Sequence, residues 1–318
     1  MHNDFLKEKY GVEAIQSAEM RDYTTLRLGG PCRAMIFCGD SQAFADVARD
    51  LQAAGEPFLT IGSGSNLLVS DQGITEMVLR YVSTQPEISA VEDGIRVGAG
   101  TLLSDLCTYA IERDIDNFTY CVGIPGTVGG AVAGNAGAFG RQIGDELLSA
   151  EVLDFDGKIK MLVAEELEFA YRDSILKHSD GLLLAATFKT TPGRSEEILH
   201  QAREFMQISR DRHPDYRAVP TAGSFFRNIE PSSAAERRQA AGWFLEQSGA
   251  YEMRFGGARV FEKHANIIIN DSPDCSASDV LDLATAMHQA VKDKFGIDLQ
   301  REVKVIGLWG DSEDIRNR

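Results

Sequence analysis

Hydrophobic and polar positions switch between two periods along this chain, and each switch marks an element. Residues 1–20 scatter apolar positions among charges at helical spacing, which predicts an amphipathic helix. TTLRLGGPC then interrupts the pattern with glycines before AMIFC, a strand candidate. SQAFADVARDLQAAG predicts a helix with Ser41 as N-cap and Gly55 as its stop. PFLTIG (57–62), MVLRY (77–81) and GIRVGAG (94–100) read as short strands between turn residues. Helical spacing returns over 102–115. SAEVLDFDGKIKMLV (149–163) predicts a hairpin with a type I′ turn at Asp156-Gly157. A strand over 182–191 and a helix of alternating charge over 196–213 follow.

The pattern breaks between Pro214 and Pro220, and a second region begins. It runs through GSFFRN, a helix over 235–249, the strand ANIIIN (265–270) and a helix over 276–296. Strands and helices mix without strict βαβ order, which places the chain in the α+β class. No internal repeat or low-complexity segment appears.

Charge narrows the partners. Against 32 Lys and Arg stand 48 Asp and Glu, a formal charge of −16. Such a surface repels polyanions, so nucleic acid and anionic membranes are not expected, and a small molecule is. No stretch reaches the ~18 apolar residues of a membrane span, and the charged N-terminus lacks a signal-like apolar run. The five cysteines are odd in number and form no C-x-x-C, so they read as reduced cytoplasmic thiols. The six histidines are dispersed, and no metal site is expected.

Two glycine clusters carry the candidate chemistry. Ile61-Gly62-Ser63-Gly64-Ser65-Asn66 follows a strand, where glycines let backbone approach a ligand and successive N–H groups can face an anion. It is neither a P-loop nor the Rossmann fingerprint. Glycine and alanine fill most of residues 123–140, GIPGTVGGAVAGNAGAFG. Ordering so bare a backbone is entropically costly, which suits either a long flat ligand lying on it or a close-packed crossing of elements.

IGSGSNLLVSD (61–71) and GIPGTVGGAVAGNAGAFGRQIGD (123–145) resemble the two FAD-cradling segments of the UDP-N-acetylenolpyruvoylglucosamine reductase family. TTLRLGGP (24–31), FAYRDS (169–174), TAGSFFRN (221–228), EKHANIIIN (262–270) and EVKVIG (302–307) resemble further segments of that family, in its order. The resemblance implies a two-part FAD-binding region of the vanillyl-alcohol-oxidase-like (PCMH-type) class, over residues 1–81 and 82–208. A C-terminal α+β substrate-binding domain over 209–300 and a strand and tail over 301–318, returning to the FAD region, complete the implied plan.

The implied reaction is NADPH-dependent reduction of UDP-N-acetylglucosamine enolpyruvate to UDP-N-acetylmuramate through noncovalent FAD, NADPH leaving before the sugar nucleotide enters. That activity, UDP-N-acetylmuramate dehydrogenase, belongs to peptidoglycan synthesis, and so to cell shape and division. By resemblance, Arg172 and Glu302 stabilise the enolate and Ser224 donates the proton to carbon. Glu302 would have to be protonated to donate, which calls for burial or a negative neighbour. Taken alone, Ser224 reads as a turn cap, Arg172 as an ion-pair partner of Asp173, and Glu302 as a solvent-facing strand residue.

The resemblance places the flavin on Ile61, Gly62, Ser63, Gly64, Ser65, Asn66, Gly123, Ile124, Pro125, Gly126, Gly129, Gly130, Asn135, Gly137 and Ala138. Asn228, Arg227 and Tyr171 are the implied substrate contacts. The interval from Thr190 to Ser224 leaves no room for the tyrosine-bearing insertion of some members, so the chain resembles the shorter type; a monomer is expected. Phe261 and Ile229 depart from the family near the implied diphosphate site, where a small polar residue and proline are common. An oxidase of the same fold class and a non-catalytic paralogue that binds FAD or a sugar nucleotide are the competing readings.

Overall fold

The computed structural model describes residues 3–229 and 239–309, and the apolar side chains collect into two main cores. The cores belong to two units, one drawn from residues 1–16, 34–63 and 76–209 and the other from 17–33, 64–75 and 210–318.

In the first unit a four-stranded sheet runs in the order Glu13–Gln16, Cys32–Cys38, Ile74–Tyr81, Phe58–Ile61. An antiparallel five-stranded sheet runs Ile159–Val163, Leu147–Leu153, Leu182–Phe188, Gly94–Gly98, Ile88–Val91. The helix Ser41–Ala53 buries Phe44, Val47, Ala48 and Leu51, the spacing of a helix with one apolar face. Leu103–Glu112 does the same with Leu103, Leu106 and Ala110. Phe118 meets Phe188 edge to face, with centroids 5.5 Å apart, inside this core.

The second unit is built on the antiparallel sheet Thr221–Ser224, His264–Asn270, Ala258–Phe261, Arg254–Phe255. The helices Ala241–Gln247 and Ala277–Phe295 bury Phe244, Leu245, Leu283, Met287 and Val291 in the same core. A separate pair, Leu67–Val69 and Lys304–Ile306, runs parallel. The TTLRLGGP segment belongs to this unit: the Thr25 hydroxyl donates to the Thr221 carbonyl at 2.7 Å, and its carbonyl accepts the Thr221 N–H at 3.2 Å.

Four sequence expectations change. The first helix is only Asn3–Tyr10, because Gly11 takes φ +68° and the next residues enter the strand Glu13–Gln16. Asp40, not Ser41, caps the second helix by accepting the Ala43 N–H at 2.8 Å, while the Ser41 hydroxyl donates to Glu87 at 2.7 Å. The 147–163 hairpin forms, but only Gly157 (φ +75°) of the Asp156-Gly157 pair has positive φ, so the turn is not type I′. Part of the helix expected over 235–249 lies outside the described residues, and the described part is helical only over Ala241–Gln247.

Asp71, the last residue of IGSGSNLLVSD, holds a helix rather than a ligand. Its carboxylate accepts the Ala277 N–H at 2.9 Å and the Ser278 N–H at 3.3 Å, at the start of Ala277–Phe295. Those N–H groups have no partner inside the helix, and a negative charge suits that end. Asp71→Ala should lower unfolding stability by about 1–2 kcal/mol, read as a fall in denaturant midpoint at unchanged m-value. An unaltered midpoint would mean water replaces the carboxylate without cost.

Candidate active site

The first glycine loop starts where the strand Phe58–Ile61 ends on the buried Ile61. Gly62 lies so close to Thr127 that a Cβ there would stand 2.3 Å from its Oγ1. Thr127 in turn caps the short helix Val128–Ala133, accepting the Gly130 N–H at 3.3 Å. The N–H groups of Val128 and Gly129 donate to the carbonyls of Thr101 (2.9 Å) and Ala99 (2.7 Å). The start of this helix is therefore spent on protein acceptors.

Close packing explains several of the glycines. A Cβ on Gly129 would meet Ala99 at 3.1 Å, and one on Gly137 would meet the Arg141 carbonyl at 2.2 Å, across the ribbon Gly137–Ala138 and Arg141–Gln142. Gly123 and Gly126 take φ +86° and +137°, where a side chain is strained. Gly130 differs: it is exposed, and a Cβ would approach only Thr127 Oγ1, at 3.7 Å. Ile124, Pro125 and Ala138 are half-buried.

Between Gly62 and Gly64, the buried Ser63 hydroxyl finds no hydrogen-bond partner among the described residues. A buried hydroxyl without a partner is costly and calls for one from outside the chain. These features fit FAD, which offers phosphate and ring acceptors to such donors. In the second unit Gly64 (φ +64°) accepts the Thr25 N–H at 3.2 Å, Ser65 is half-buried, and Asn66 donates its side-chain amide to the Glu302 carbonyl at 3.1 Å.

Arg172 is carried by a two-residue turn of the first unit. Ala170 and Asp173 exchange main-chain hydrogen bonds at 3.1 and 3.2 Å, leaving Tyr171 and Arg172 at the tip. Arg172 takes φ +57°, and its guanidinium donates to the carbonyls of Gly137 (2.7 Å) and Asn135 (3.4 Å). The Tyr171 ring lies 5.1 Å from that cation. Ser174 is buried and donates its hydroxyl to the Ala133 carbonyl at 2.8 Å. The Asp173 carboxylate lies against His178 Nε2 at 2.9 Å.

Ser224 and Glu302 come together in the second unit. Ser224 ends the strand Thr221–Ser224, whose register against His264–Asn270 shifts at Ala222-Gly223, with Gly223 at φ +80°. The next residue, Phe225, accepts the Glu302 N–H at 2.8 Å and donates its own N–H to the Asn266 carbonyl at 2.8 Å. Asn266, almost wholly buried, holds both peptide groups of Phe226: Oδ1 accepts the N–H at 2.9 Å and Nδ2 donates to the carbonyl at 2.7 Å. In the sequence Asn266 stands out only as a carboxamide in the otherwise apolar run ANIII.

The implied substrate contacts flank this loop. The Arg227 N–H donates to the Gln300 carbonyl at 2.8 Å, and the Arg227 side chain buries an Nε with no partner among the described residues. Asn228 accepts the Ala241 N–H at 3.1 Å, at the start of Ala241–Gln247. Ile229 and Gln239 exchange main-chain hydrogen bonds at 2.9 and 3.0 Å. A proline in place of Ile229 could not donate one of them. Phe261 is buried with Ile267, Ile269 and Val219.

All five cysteines are buried. Burial pushes the Cys121 thiol up to about 12, so it is a poor nucleophile. Among the described residues no cluster of His, Cys, Asp or Glu is placed to hold a metal, and no helix is long and apolar enough to cross a membrane.

Residues 213–306 match the model of the UDP-N-acetylenolpyruvoylglucosamine reductase C-terminal domain, and residues 32–162 match that of an FAD-binding domain. The chain is 34% identical to the UDP-N-acetylenolpyruvoylglucosamine reductase of Bacillus licheniformis, over 95% of this chain and 97% of that one. It is 37% identical to UDP-N-acetylenolpyruvoylglucosamine reductase 1 of Bacillus cereus, over 96% and 98%. The crystal structure of UDP-N-acetylenolpyruvylglucosamine reductase (MurB) from Thermus caldophilus superposes with a TM-score of 0.75 at 31% identity, covering 93% of this chain and 99% of that one.

The strand behind Ser224 carries an acid-sensitive group. Burial, with the neighbouring His213 and Arg212 charges adding to it, lowers His264 from 6.5 to about 4. Its Nδ1 accepts the Asn266 N–H at 3.2 Å, so a proton there breaks the bond. Unfolded chain takes up that proton near pH 6.5 and folded chain only near 4, so this contribution is complete above 6.5 and is lost as pH falls toward 4. Denaturant midpoints should decline over that window, and less steeply in His264→Gln. Parallel declines in the two proteins would remove His264 as the cause.

Proposed function

The chain belongs to the UDP-N-acetylenolpyruvoylglucosamine reductase family, and from that premise we infer that it reduces UDP-N-acetylglucosamine enolpyruvate to UDP-N-acetylmuramate with NADPH in peptidoglycan synthesis. The observation that carries this reading is similarity along the whole chain, 34–37% identity over about 95% of it, with an FAD-binding match before the C-terminal one. The chain is an FAD-dependent oxidoreductase. The further details proposed with it are a monomer, a cytoplasmic location and the shorter type of the family. Five buried thiols suit a reducing compartment.

FAD, which the residues of 61–66 and 123–138 would hold, would supply the hydride chemistry between NADPH and the terminal vinyl carbon of the substrate. The rest falls to side chains. Negative charge arises on the carbon beside the substrate carboxylate and spreads to its oxygens as an enolate. A cation placed on those oxygens stabilises the transition state more than the ground state. That is the role we assign to Arg172, whose guanidinium is held by the Gly137 and Asn135 carbonyls.

Glu302 in its acid form donates a second hydrogen bond to the enolate. Ser224 supplies the proton to carbon. A hydroxyl is a weak acid, but the enolate carbon is basic enough to take its proton. Support for this pairing is local: the Glu302 N–H bonds to the carbonyl of the residue after Ser224, so a main-chain hydrogen bond joins the two stretches that carry them. Arg227 and Asn228 border the same loop and are assigned to the diphosphate. Tyr171 shares the turn of Arg172 and is assigned to the substrate with it.

Flavin absorbance separates the two half-reactions. Anaerobic NADPH should bleach it, and the enolpyruvyl sugar nucleotide should restore it without oxygen. Ser224→Ala should leave bleaching intact and slow the restoration ~10²–10⁴-fold, the range for losing one general acid. Restoration by oxygen alone would instead mark an oxidase, and a chain that binds no flavin would leave the non-catalytic reading.

Replacing Glu302 tests its protonation. Glu302→Gln keeps an N–H donor and should retain more of the second half-reaction than Glu302→Ala. Equal loss in the two variants would show that donation from this position is not what matters.

A further inference from the structure

Asn135 is completely buried, yet both ends of its carboxamide are bonded to main chain. Nδ2 donates to the Ala170 carbonyl at 2.8 Å, and Oδ1 accepts the Gly144 N–H at 3.0 Å. Ala170 opens the turn that carries Arg172, so one end of the side chain holds the base of that turn. The carbonyl of Asn135 accepts from Arg172 Nη1 at 3.4 Å, while Gly137, two residues on, accepts from Nη2 at 2.7 Å. Asn135 thus touches the base of the turn with its side chain and the guanidinium at its tip with its backbone.

Two strained conformations meet here. Arg172 sits at φ +57° and Asn135 at φ +42°. A left-handed residue other than glycine costs ~1–3 kcal/mol and persists only where its surroundings over-determine it. Asparagine tolerates that region better than most residues, whereas arginine is held there by its neighbours. We propose that Asn135 is a positioning residue for Arg172, setting where the guanidinium stands through the Ala170 carbonyl and its own. This rests on the function proposed above, since placement matters only if Arg172 meets the substrate.

The chemistry of the carboxamide explains the choice of residue. The carboxamide gives the Ala170 carbonyl a second donor beside the Asp173 N–H and gives the Gly144 N–H its acceptor. Aspartate would set an acceptor against the Ala170 carbonyl and add an anion beside the guanidinium. Alanine would take the acceptor from the Gly144 N–H and leave the Ala170 carbonyl with the Asp173 N–H alone. Ser174 anchors the far side of the turn independently, through the Ala133 carbonyl, so the turn has a second attachment when Asn135 is changed.

A double-mutant cycle on the holoenzyme tests the proposal, with Asn135→Ala and Arg172→Ala singly and together and both half-reactions followed by flavin absorbance. FAD content and unfolding midpoint are measured for each protein. Asn135→Ala should slow the substrate-driven half-reaction at least tenfold relative to the NADPH-driven one. In the Arg172→Ala background the same change should alter that ratio less than twofold, because its effect passes through Arg172. A purely structural role would not produce that dependence.

Full retention of the Asn135 effect without Arg172, or equal slowing of both half-reactions, overturns the proposal. Asn135→Ser and Asn135→Asp, run against Arg172→Lys, carry the same cycle where the alanine variant does not fold. The unsubstituted protein separates the two levels of inference. If the enolpyruvyl sugar nucleotide fails to restore its flavin, the functional reading falls and this proposal with it. If that reaction proceeds and the cycle is additive, only the positioning role falls.

Discussion

A peptide group buried in irregular backbone has no ladder or helix to satisfy it, and leaving it unpaired costs about as much as a lost hydrogen bond. The candidate functional groups of this chain sit at the edges of regular backbone: Arg172 at the tip of a two-residue turn, Ser224 at the end of a strand past a register shift, Glu302 just before a three-residue strand. In each unit the peptide groups around them are matched by buried asparagines. Asn135 serves Ala170 and Gly144, and Asn266 serves both ends of Phe226. A carboxamide presents one donor and one acceptor in the geometry of a peptide and has few rotatable bonds, so it fixes a loop much as a neighbouring strand would.

The same device recurs away from the candidate groups. Asn117 is buried, accepts the Thr191 N–H and donates to Glu146 at 2.5 Å. Glu146 in turn pairs with Arg141 at 3.0 Å, and Arg141 forms one strand of the ribbon that includes Gly137. Asn270 donates to the Leu26 carbonyl in the second unit. Rigidity in these loops therefore comes from short polar chains ending in backbone. A functional group placed there keeps its aim without belonging to a long regular element.

Much of this was legible in the sequence where a period was sustained. The helices Leu103–Glu112, Ser195–Arg212 and Ala277–Phe295 and the strand His264–Asn270 lie where their patterns put them. Short-range choices were less visible. Asp40 and Ser41 are both acceptable caps, and only the position of Glu87 shows why Ser41 turns aside. The first twenty residues carry enough apolar positions for a helix, but Gly11 ends it early. By sequence the glycine run suits a ligand bed or a packed crossing. Contacts of Gly62 with Thr127, and of Gly129 with Ala99, show that packing accounts for part of it. The Ser63 hydroxyl and the exposed Gly130 are what packing leaves over. In the sequence Asn135 reads as an implied flavin contact, and its hold on the Arg172 turn does not show there because that turn lies more than thirty positions away.

The burial of the cysteines has a consequence for a protein that handles a reduced flavin. Flavins that meet oxygen before their proper acceptor release peroxide, which attacks thiolates and spares protonated thiols. Desolvation holds Cys38, Cys121 and Cys275 near 12 and raises Cys32 and Cys107 as well. At neutral pH essentially none of these sulfurs is ionised while the chain is folded. Peroxide formed beside the folded chain therefore meets no cysteine thiolate, and oxidation at cysteine waits on unfolding.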